Sequence, residues 1–253
     1  MYDQGYFVQT DLDNNVYVFG QARGNYPQTP GVYGIAMSGQ FIHKLGPNLT
    51  NSLWSTNIGS GSGNIEISPT AFLVSNCYDI YIAGWGGVTN QTNSLATQSS
   101  TNGFPTTPGA HQQNTNGSNF YLAVLAQDAA YLKYGTFMGG ISSSFNHVDG
   151  GTSRFSKEGT IFHAVCGSCG ASSNGFTTTP GVWSPSSMSS NCNLAAFKFN
   201  LSTMEAAIGN TDPIICIPNP VTFINNSANG NLFIWDFGDG NTSNAENPSH
   251  NYT

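Results

Sequence analysis

Charged side chains are scarce in this 253-residue chain, where Lys, Arg, Asp and Glu together make up 8% of the residues. An average soluble domain has about a quarter. The six basic residues are scattered along the sequence. Because nucleic-acid binding needs clustered Lys and Arg, we expect no nucleic-acid partner. The formal net charge of −7 is expected to serve solubility.

Long apolar runs are also missing. No stretch of 18 consecutive apolar residues occurs, so we expect no membrane span. Aromatic residues nevertheless reach 12%, which is enough to build a core, and 30 glycines accompany many Asn, Ser and Thr residues. This composition is typical of many short strands joined by polar turns, and it predicts an all-β fold.

Sequence signatures of catalysis and metal binding are absent as well. The five histidines lie apart, no His-Glu-x-x-His, Gly-x-Ser-x-Gly or P-loop pattern occurs, and acids are too sparse to suggest a carboxylate pair. The stretch 11–15 (Asp-Leu-Asp-Asn-Asn) is similar to a calcium loop but lacks the Gly at its sixth and the Glu at its twelfth position. We therefore predict no enzyme, no catalytic residue, no metal ligand and no cofactor, with calcium as the remaining alternative.

Five cysteines occur, and Cys166-Gly-Ser-Cys169 is the notable pair. A redox dithiol usually opens a helix, whereas this pair ends a predicted strand. A zinc site would need two further ligands at knuckle-like spacing, which the sequence lacks. We favour a disulfide from Cys192 to either Cys169 or Cys166; the alternatives are metal binding, redox chemistry and free thiols. Of the others, Cys77 and Cys216, the latter could pair with a residue beyond this segment. Disulfides would indicate an extracellular setting.

One phrase recurs three times along the chain. An aromatic residue, two variable residues and Thr-Pro-Gly follow one another at 26–31, 104–109 and 176–181, at intervals of 78 and 72 residues. Such a period indicates a repeated structural unit. Pro fixes φ and Gly permits positive φ, so we expect the phrase to shape a loop. The residues of this Thr-Pro-Gly phrase are Thr29, Pro30, Gly31, Thr107, Pro108, Gly109, Thr179, Pro180 and Gly181.

Each unit of about 75 residues contains four predicted strands. In the third unit the first strand is predicted at 147–155 and a weak fourth strand at 204–208. Four-stranded units stacked around an axis cover each other's faces, which predicts a β-propeller over residues 1–208. Three blades cannot close a ring, because propellers have about four to eight. We therefore expect the chain to be a fragment of a longer protein, with further blades upstream of Tyr2.

The units resemble a known bacterial family. The run 104–110 (Phe-Pro-Thr-Thr-Pro-Gly-Ala), followed by 134–140 (Tyr-Gly-Thr-Phe-Met-Gly-Gly), is similar to the SBBP-type β-propeller repeat. The resemblance covers residues 5 to 208. The third unit departs from the pattern through an inserted Cys-rich loop. The resemblance implies a propeller made of such repeats, here about three blades with an incomplete ring.

The tail has a different texture. We predict a linker at 209–212 and a second domain at 213–253. Val-x-Phe at 221–223, Trp-Asp-Phe-Gly-Asp-Gly at 235–240 and Asn-Pro-x-His-x-Tyr at 247–252 resemble a PKD domain, an immunoglobulin-like sandwich of which about half is present. Trp235 is interpreted as its core anchor, with a binding role as the alternative. The motif residues are Trp235, Asp236, Phe237, Gly238, Asp239, Gly240 and Tyr252.

Propeller repeats followed by a PKD-like module resemble large exported proteins of the Bacteroidota, including adhesins and gliding-associated proteins that use type IX secretion. The resemblance implies a non-enzymatic surface or secreted protein that acts in adhesion or as a scaffold. Its partners would be other domains of the same chain, a surface protein or a glycan. The first alternative is the accessory region of a secreted hydrolase. The second is carbohydrate binding by Trp54, Trp85 and Trp183.

Overall fold

The computed structural model describes residues 2–23, 26–141, 144–149, 153–170, 175–186, 189, 191–201, 208–209, 219–227 and 233–252. The chain divides into two compact units, residues 1–201 and residues 202–253. With 41% strand and 3% helix, all sheets being antiparallel, the predicted all-β class is confirmed. Within the described residues, none of the helical segments has the length and apolar character needed to cross a membrane.

The first unit contains three antiparallel sheets, numbered in chain order. Sheet 1 has the strand order β1-β2-β3-β4, and sheet 2 has β5-β6-β7-β8. Short 3-10 turns at Asn90–Thr92 and Gln127–Ala129 lie in the loops of sheet 2. The strands are β1 (Tyr2–Thr10), β2 (Val16–Arg23), β3 (Gln40–Leu45), β4 (Ser52–Ile58), β5 (Ser68–Val74), β6 (Ile80–Trp85), β7 (Phe120–Leu125) and β8 (Leu132–Met138).

Sheet 3 departs from the predicted four strands. In place of the single strand predicted at 147–155, the structure has two short strands, β9 (Phe145–His147), which ends where the predicted strand begins, and β10 (Ser153–Phe155). Both pair with β11 (Thr160–Cys169). The prediction of one continuous strand is wrong there. β12 (Asn193–Asn200) pairs with the other side of β11. Of the predicted fourth strand at 204–208, residues 204–207 lie outside the described residues, and Ile208 forms a bridge with Asn225 in the second unit.

The sheets repeat in detail. The β1–β2, β5–β6 and β10–β11 turns close with equivalent backbone hydrogen bonds, Asp11 N to Asn15 O, Ser75 N to Asp79 O and Ser156 N to Thr160 O. The register of β1 against β2 shifts between Gly5 and Phe7, and that of β5 against β6 shifts at the equivalent place, between Pro69 and Ala71. The pairings of β3 with β4 and of β7 with β8 also shift, in each case between the last two residues of the first strand. Equivalent turns and bulges at equivalent positions show that the sequence period is a structural period.

Sheet 2 is covered on both faces, which explains its composition. All six residues of β6 and all six of β7 are buried. A strand buried on both faces must be apolar throughout, and these read Ile-Tyr-Ile-Ala-Gly-Trp and Phe-Tyr-Leu-Ala-Val-Leu. One face packs on sheet 1 through Phe19, Ile42 and Trp54. The other packs on sheet 3 through Ile161 and Val165.

The second unit has two small antiparallel pairs. β13 (Val221–Thr222) pairs with β16 (Ser249–His250), and β14 (Trp235–Asp236) pairs with β15 (Thr242–Ser243). Residues 210–212 of the predicted linker lie outside the described residues. An aromatic cluster organises the unit, in which Phe223 lies 5.7 Å from Trp235 and 5.3 Å from Phe237, centroid to centroid.

Candidate functional site

The Thr-Pro-Gly phrase fastens a loop to the outer edge of the fourth strand. In sheet 1, Thr29 N donates to Ser55 O at 2.9 Å, and Ser55 N donates to Thr29 Oγ1 at 3.0 Å. In sheet 2, Thr107 N donates to Gly135 O at 3.1 Å, and Gly135 N donates to Thr107 Oγ1 at 3.2 Å. An exposed strand edge would otherwise carry unpaired N–H and C=O groups that invite aggregation. The phrase thus protects β4 and β8.

The glycine of each phrase needs a left-handed backbone. Gly31, Gly109 and Gly181 have φ of +87°, +79° and +81°. No atom lies within 4 Å of where a Cβ would stand at any of them. Conformation, and not crowding, therefore requires glycine at these three positions.

The residue two places after the glycine contacts the next sheet in the first two units. Tyr33 donates its N–H to Ala129 O at 2.6 Å and packs in the core between sheets 1 and 2. His111 meets Phe199 of sheet 3 edge to face, with ring centroids 5.4 Å apart. Trp183 holds the same place in the third unit, and its side chain is fully exposed. These three residues are called the linking residues below.

Among the described residues of the first unit, no element covers the face of sheet 3 that points away from sheet 2. Its strands place Phe162, Ala164, Leu194, Ala196 and Lys198 on that side, with Leu194 84% exposed. Lys198 Nζ lies 5.7 Å from the centroid of the Phe162 ring. A shallow groove of about 460 Å³ runs along this face. We call it the open face of sheet 3.

Between sheets 1 and 2 the equivalent face carries an ion cluster in which Lys44 and Asp11 are buried and Asp128 is half exposed. Lys44 Nζ lies 3.3 Å from Asp11 Oδ2 and 2.8 Å from Asp128 Oδ1. Asp128 belongs to the β7–β8 loop, so sheet 2 contributes a carboxylate to a lysine of sheet 1. Trp54 Nε1 also donates to Asp128 Oδ1, at 3.1 Å. Burial alone would raise the pKa of Asp11, but hydrogen bonds from Asn15 and Lys44 outweigh it and the net pKa is lowered.

At 11–15, where calcium binding was the alternative, the first carboxylate, that of Asp11, already accepts hydrogen bonds from the protein. Asp11 accepts hydrogen bonds from the N–H groups of Asp13 and Asn15, from Asn15 Nδ2 and from the Tyr17 hydroxyl. The carboxylate therefore organises the β1–β2 turn. Lys44 beside it supplies the countercharge that a cation would otherwise supply.

Two of the three candidate ligand-facing tryptophans are buried. Trp54 lies in the core between sheets 1 and 2, and Trp85 lies in the core between sheets 2 and 3. Only Trp183 of the three is accessible. Carbohydrate binding by exposed aromatics is thereby narrowed to Trp183.

A disulfide joins Cys169 to Cys192, which settles the pairing that the sequence left open. Cys166 and Cys77 are free thiols, whereas Cys216 lies outside the described residues. The bond ties the end of β11 to the residue before β12 and closes the loop that carries the third phrase. Closing a loop in this way restricts the conformations of the unfolded chain.

Beside the disulfide lies a group of polar side chains that the sequence did not indicate. His147 Nδ1 is 3.6 Å from Cys169 Sγ, and His147 Nε2 is 3.4 Å from Asp149 Oδ2. Cys166 Sγ donates to the same Asp149 oxygen at 3.5 Å. Burial and then Asp149 raise the pKa of the Cys166 thiol. These side chains are neighbours because Cys166 and His147 are register partners in β11 and β9.

In the second unit, the acidic motif residues accept backbone hydrogen bonds that stabilise turns. Asp236 Oδ1 accepts from Gly238 N at 2.9 Å, and Asp239 Oδ1 accepts from Asn241 N at 3.0 Å. A hydrogen bond from His250 lowers the pKa of Asp239 to about 2. Gly240 has a φ of +90°. The motif therefore builds a tight loop between β14 and β15.

The aromatic motif residues of this unit pack on one another. Trp235 is half-buried and donates its Nε1–H to Ala245 O at 3.0 Å. The Tyr252 hydroxyl donates to Phe237 O at 3.0 Å. These contacts give Trp235 and Tyr252 a structural role in the unit.

No protein-family model and no curated protein was found to match this chain.

Proposed function

We propose that the chain is a non-enzymatic extracellular scaffold or adhesion protein that works by stacking like sheets face to face. The Cys169–Cys192 disulfide supports an oxidising, extracellular setting. The two sheet-to-sheet interfaces support stacking as the mode of assembly. Membership in the SBBP propeller family, a PKD-type sandwich in the second unit, and type IX export in the Bacteroidota belong to this proposal through sequence resemblance alone.

The linking residue of the third unit carries the proposal. Tyr33 and His111 each contact the following sheet, whereas the equivalent Trp183 contacts solvent. A fully exposed Trp is costly to leave in water, because it offers a large apolar surface. Exposed aromatic residues of this size are enriched at protein interfaces. Trp183 and the open face of sheet 3 are therefore the binding surface.

The occupant proposed for this surface is sheet 1 of a second copy. The face of sheet 1 that points away from sheet 2 is equivalent to the face of sheet 2 that covers sheet 1. Val8, which is 64% exposed, stands where sheet 2 has Phe72, and Phe72 packs against Phe19. Leu49, which is 61% exposed, stands where sheet 2 has Ala129, the acceptor of the Tyr33 N–H.

Polar groups on the open face of sheet 3 and on the outer face of sheet 1 are complementary in the same way. Lys198 stands on sheet 3 where sheet 1 has Lys44, whose partner Asp128 comes from the covering sheet. In a second copy, Asn48 of the β3–β4 turn stands at the place of Asp128 and offers a side-chain oxygen. The contact joins different surfaces of the two copies, so it is head-to-tail and can propagate or close into a ring.

Sedimentation velocity of the purified chain tests this assembly. Between about 1 and 200 μM, the range in which a weak interface of standard size associates, the sedimentation coefficient should rise with concentration. Trp183→Ser should abolish the rise. Ile234→Ser is the matched control, because Ile234 is an equally exposed apolar residue in the second unit. A chain that stays monomeric throughout, or a Trp183→Ser variant that associates like wild type, overturns the proposal.

One observation favours carbohydrate binding as the second candidate: the full exposure of Trp183. An exposed indole can stack on a sugar ring. Titration with mono- and oligosaccharides, followed by tryptophan fluorescence, separates the two candidates. Sugar binding that is lost in Trp183→Ser while the wild-type chain remains monomeric would favour the glycan. The accessory role beside a secreted hydrolase remains a further proposal.

A further inference from the structure

We propose that His147, Asp149 and Cys166 form a binding site for a single divalent transition-metal ion of the zinc type. The ligand atoms are His147 Nε2, Asp149 Oδ2 and Cys166 Sγ. One ligand atom from each of these three side chains lies within 4.8 Å of the other two. The fourth coordination position faces solvent on the side of Asp149, whose side chain is 77% exposed.

The spacing of the ligand atoms fits a tetrahedral ion. Bond lengths of about 2.0–2.1 Å to nitrogen, 2.0–2.2 Å to oxygen and 2.3 Å to sulfur place tetrahedral ligand atoms roughly 3.3–3.6 Å apart. Asp149 Oδ2 lies 3.4 Å from His147 Nε2 and 3.5 Å from Cys166 Sγ. Two of the three edges therefore already have the length that the ion requires, and no backbone movement is needed along them.

The donor set and its surroundings also suit such an ion. Imidazole, carboxylate and thiolate together match zinc and its neighbours better than calcium or magnesium, which prefer oxygen ligands alone. His147 Nδ1 faces the disulfide sulfur of Cys169 at 3.6 Å, so a proton on Nδ1 leaves the lone pair of Nε2 for the metal. The Trp85 ring, 6.0 Å from the imidazole, limits its rotation. The orientation of the histidine is thus fixed before any ion arrives.

The repeat shows that the fold does not need these ligands. The register pair Cys166 and His147 of sheet 3 corresponds to Trp85 and Ser68 in sheet 2, and to Gln21 and Gln4 in sheet 1. The other two sheets form with no metal ligand set at this place. A histidine and a cysteine therefore stand opposite each other in the third sheet alone, at a place where the repeat itself does not require them.

Metal binding should be tested with the oxidised full-length chain, so that the disulfide stays intact. Isothermal titration with Zn²⁺ is expected to give one site per chain. Titration with Co²⁺ should add an ultraviolet sulfur-to-cobalt charge-transfer band, which reports a thiolate ligand directly. Because Cys166 would bind the ion as a thiolate, binding should release its thiol proton.

Variants locate the site. Cys166→Ser and Asp149→Asn should each weaken Zn²⁺ binding by more than about 100-fold, the largest loss expected from removing an outer-shell partner, and Cys166→Ser should remove the charge-transfer band. Cys77→Ser is the matched control, because Cys77 is the other free thiol among the described residues and should leave binding unchanged. Asp149 is exposed, so Asp149→Asn keeps the test valid if Cys166→Ser folds poorly. Absence of binding at about 100 μM Zn²⁺, where even a weak site would be half filled, overturns the proposal. Binding that depends on Cys77 overturns it equally.

Discussion

Lowering the pH from 7 to 5 should destabilise the first unit through one histidine, His163. The His163 side chain is buried between Phe120 and Phe197, with ring centroids 5.1 and 4.8 Å away. Nε2 lies 3.3 Å from Thr70 Oγ1, and Nδ1 is buried without a hydrogen-bond partner among the described residues. Burial lowers the pKa of His163 to about 3.

The sign and size of the effect follow from the two pKa values. In the unfolded chain a histidine has a pKa of about 6.5. Between the folded and unfolded pKa the unfolded state binds more protons, so stability falls as the pH falls from about 6.5 toward about 3. Linkage gives a loss of about 2 kcal/mol between pH 7 and pH 5 from this residue alone.

His163→Phe isolates that contribution. Phenylalanine keeps an aromatic ring between Phe120 and Phe197 but has no titrating nitrogen. Urea unfolding at pH 7 and pH 5, followed by the fluorescence of the buried Trp54 and Trp85, gives the free energy of unfolding for each chain. The difference between the two pH values should be about 2 kcal/mol smaller in the variant. Equal losses in variant and wild type would refute the reasoning. His43, whose pKa burial also lowers, contributes to both chains and cancels.

Three further outcomes follow from the same structure. Lys44→Met leaves the buried carboxylate of Asp11 without its countercharge and should cost about 3 kcal/mol in urea unfolding at pH 7; a loss below about 1 kcal/mol would show the pair to be inert. Cys192→Ser removes the disulfide, whose cysteines are 23 residues apart, and should lower the free energy of unfolding by about 3 kcal/mol. Dithiothreitol, which reduces the disulfide of the wild type, should cause no further loss of stability in this variant. Gly109→Ala, at a φ of +79° in open space, should cost about 1–2 kcal/mol in thermal melts. Gly20→Ala should cost more, because its Cβ would stand 2.3 Å from a backbone oxygen; equal costs would contradict the crowding argument.

Much of the fold could be predicted because the repeat is written in the sequence. The apolar runs of β6 and β7 and the turn residues between strands identified the eight strands of sheets 1 and 2, six of them to within two residues at each end. β1, predicted at 6–9, begins at Tyr2, and β2, predicted at 16–20, ends at Arg23. The interval 147–155 was predicted as one strand because a first strand precedes the set in each of the other two units. The structure has two short strands there, and the register of β9 shifts against the end of β11. Such a pairing depends on the partner strand, and the strand propensity of a segment carries no information about its partner.

The candidate site was harder to predict, for two physical reasons. His147 and Cys166 lie 19 residues apart, and only the antiparallel register of β9 and β11 makes them neighbours, so no local spacing motif exists. The equivalence of the linking residues was missed, although Trp183 was a candidate for carbohydrate binding, because Tyr33, His111 and Trp183 differ in type and share only a planar ring. Their common role follows from the contacts that Tyr33 and His111 make with the next sheet, because the sequence of one strand does not reveal which sheet packs against it.

Face-to-face stacking of like sheets is the basis of the proposed assembly, and a mixing experiment tests it most directly. Trp183→Ser blocks the open face of sheet 3, whereas Val8→Lys blocks the outer face of sheet 1. Each variant alone should sediment as a monomer, because each has lost one of the two complementary surfaces. An equimolar mixture should form a complex of one copy of each and nothing larger, since the remaining intact surfaces can meet only once. A mixture that stays monomeric at the concentrations where wild type associates would contradict the account.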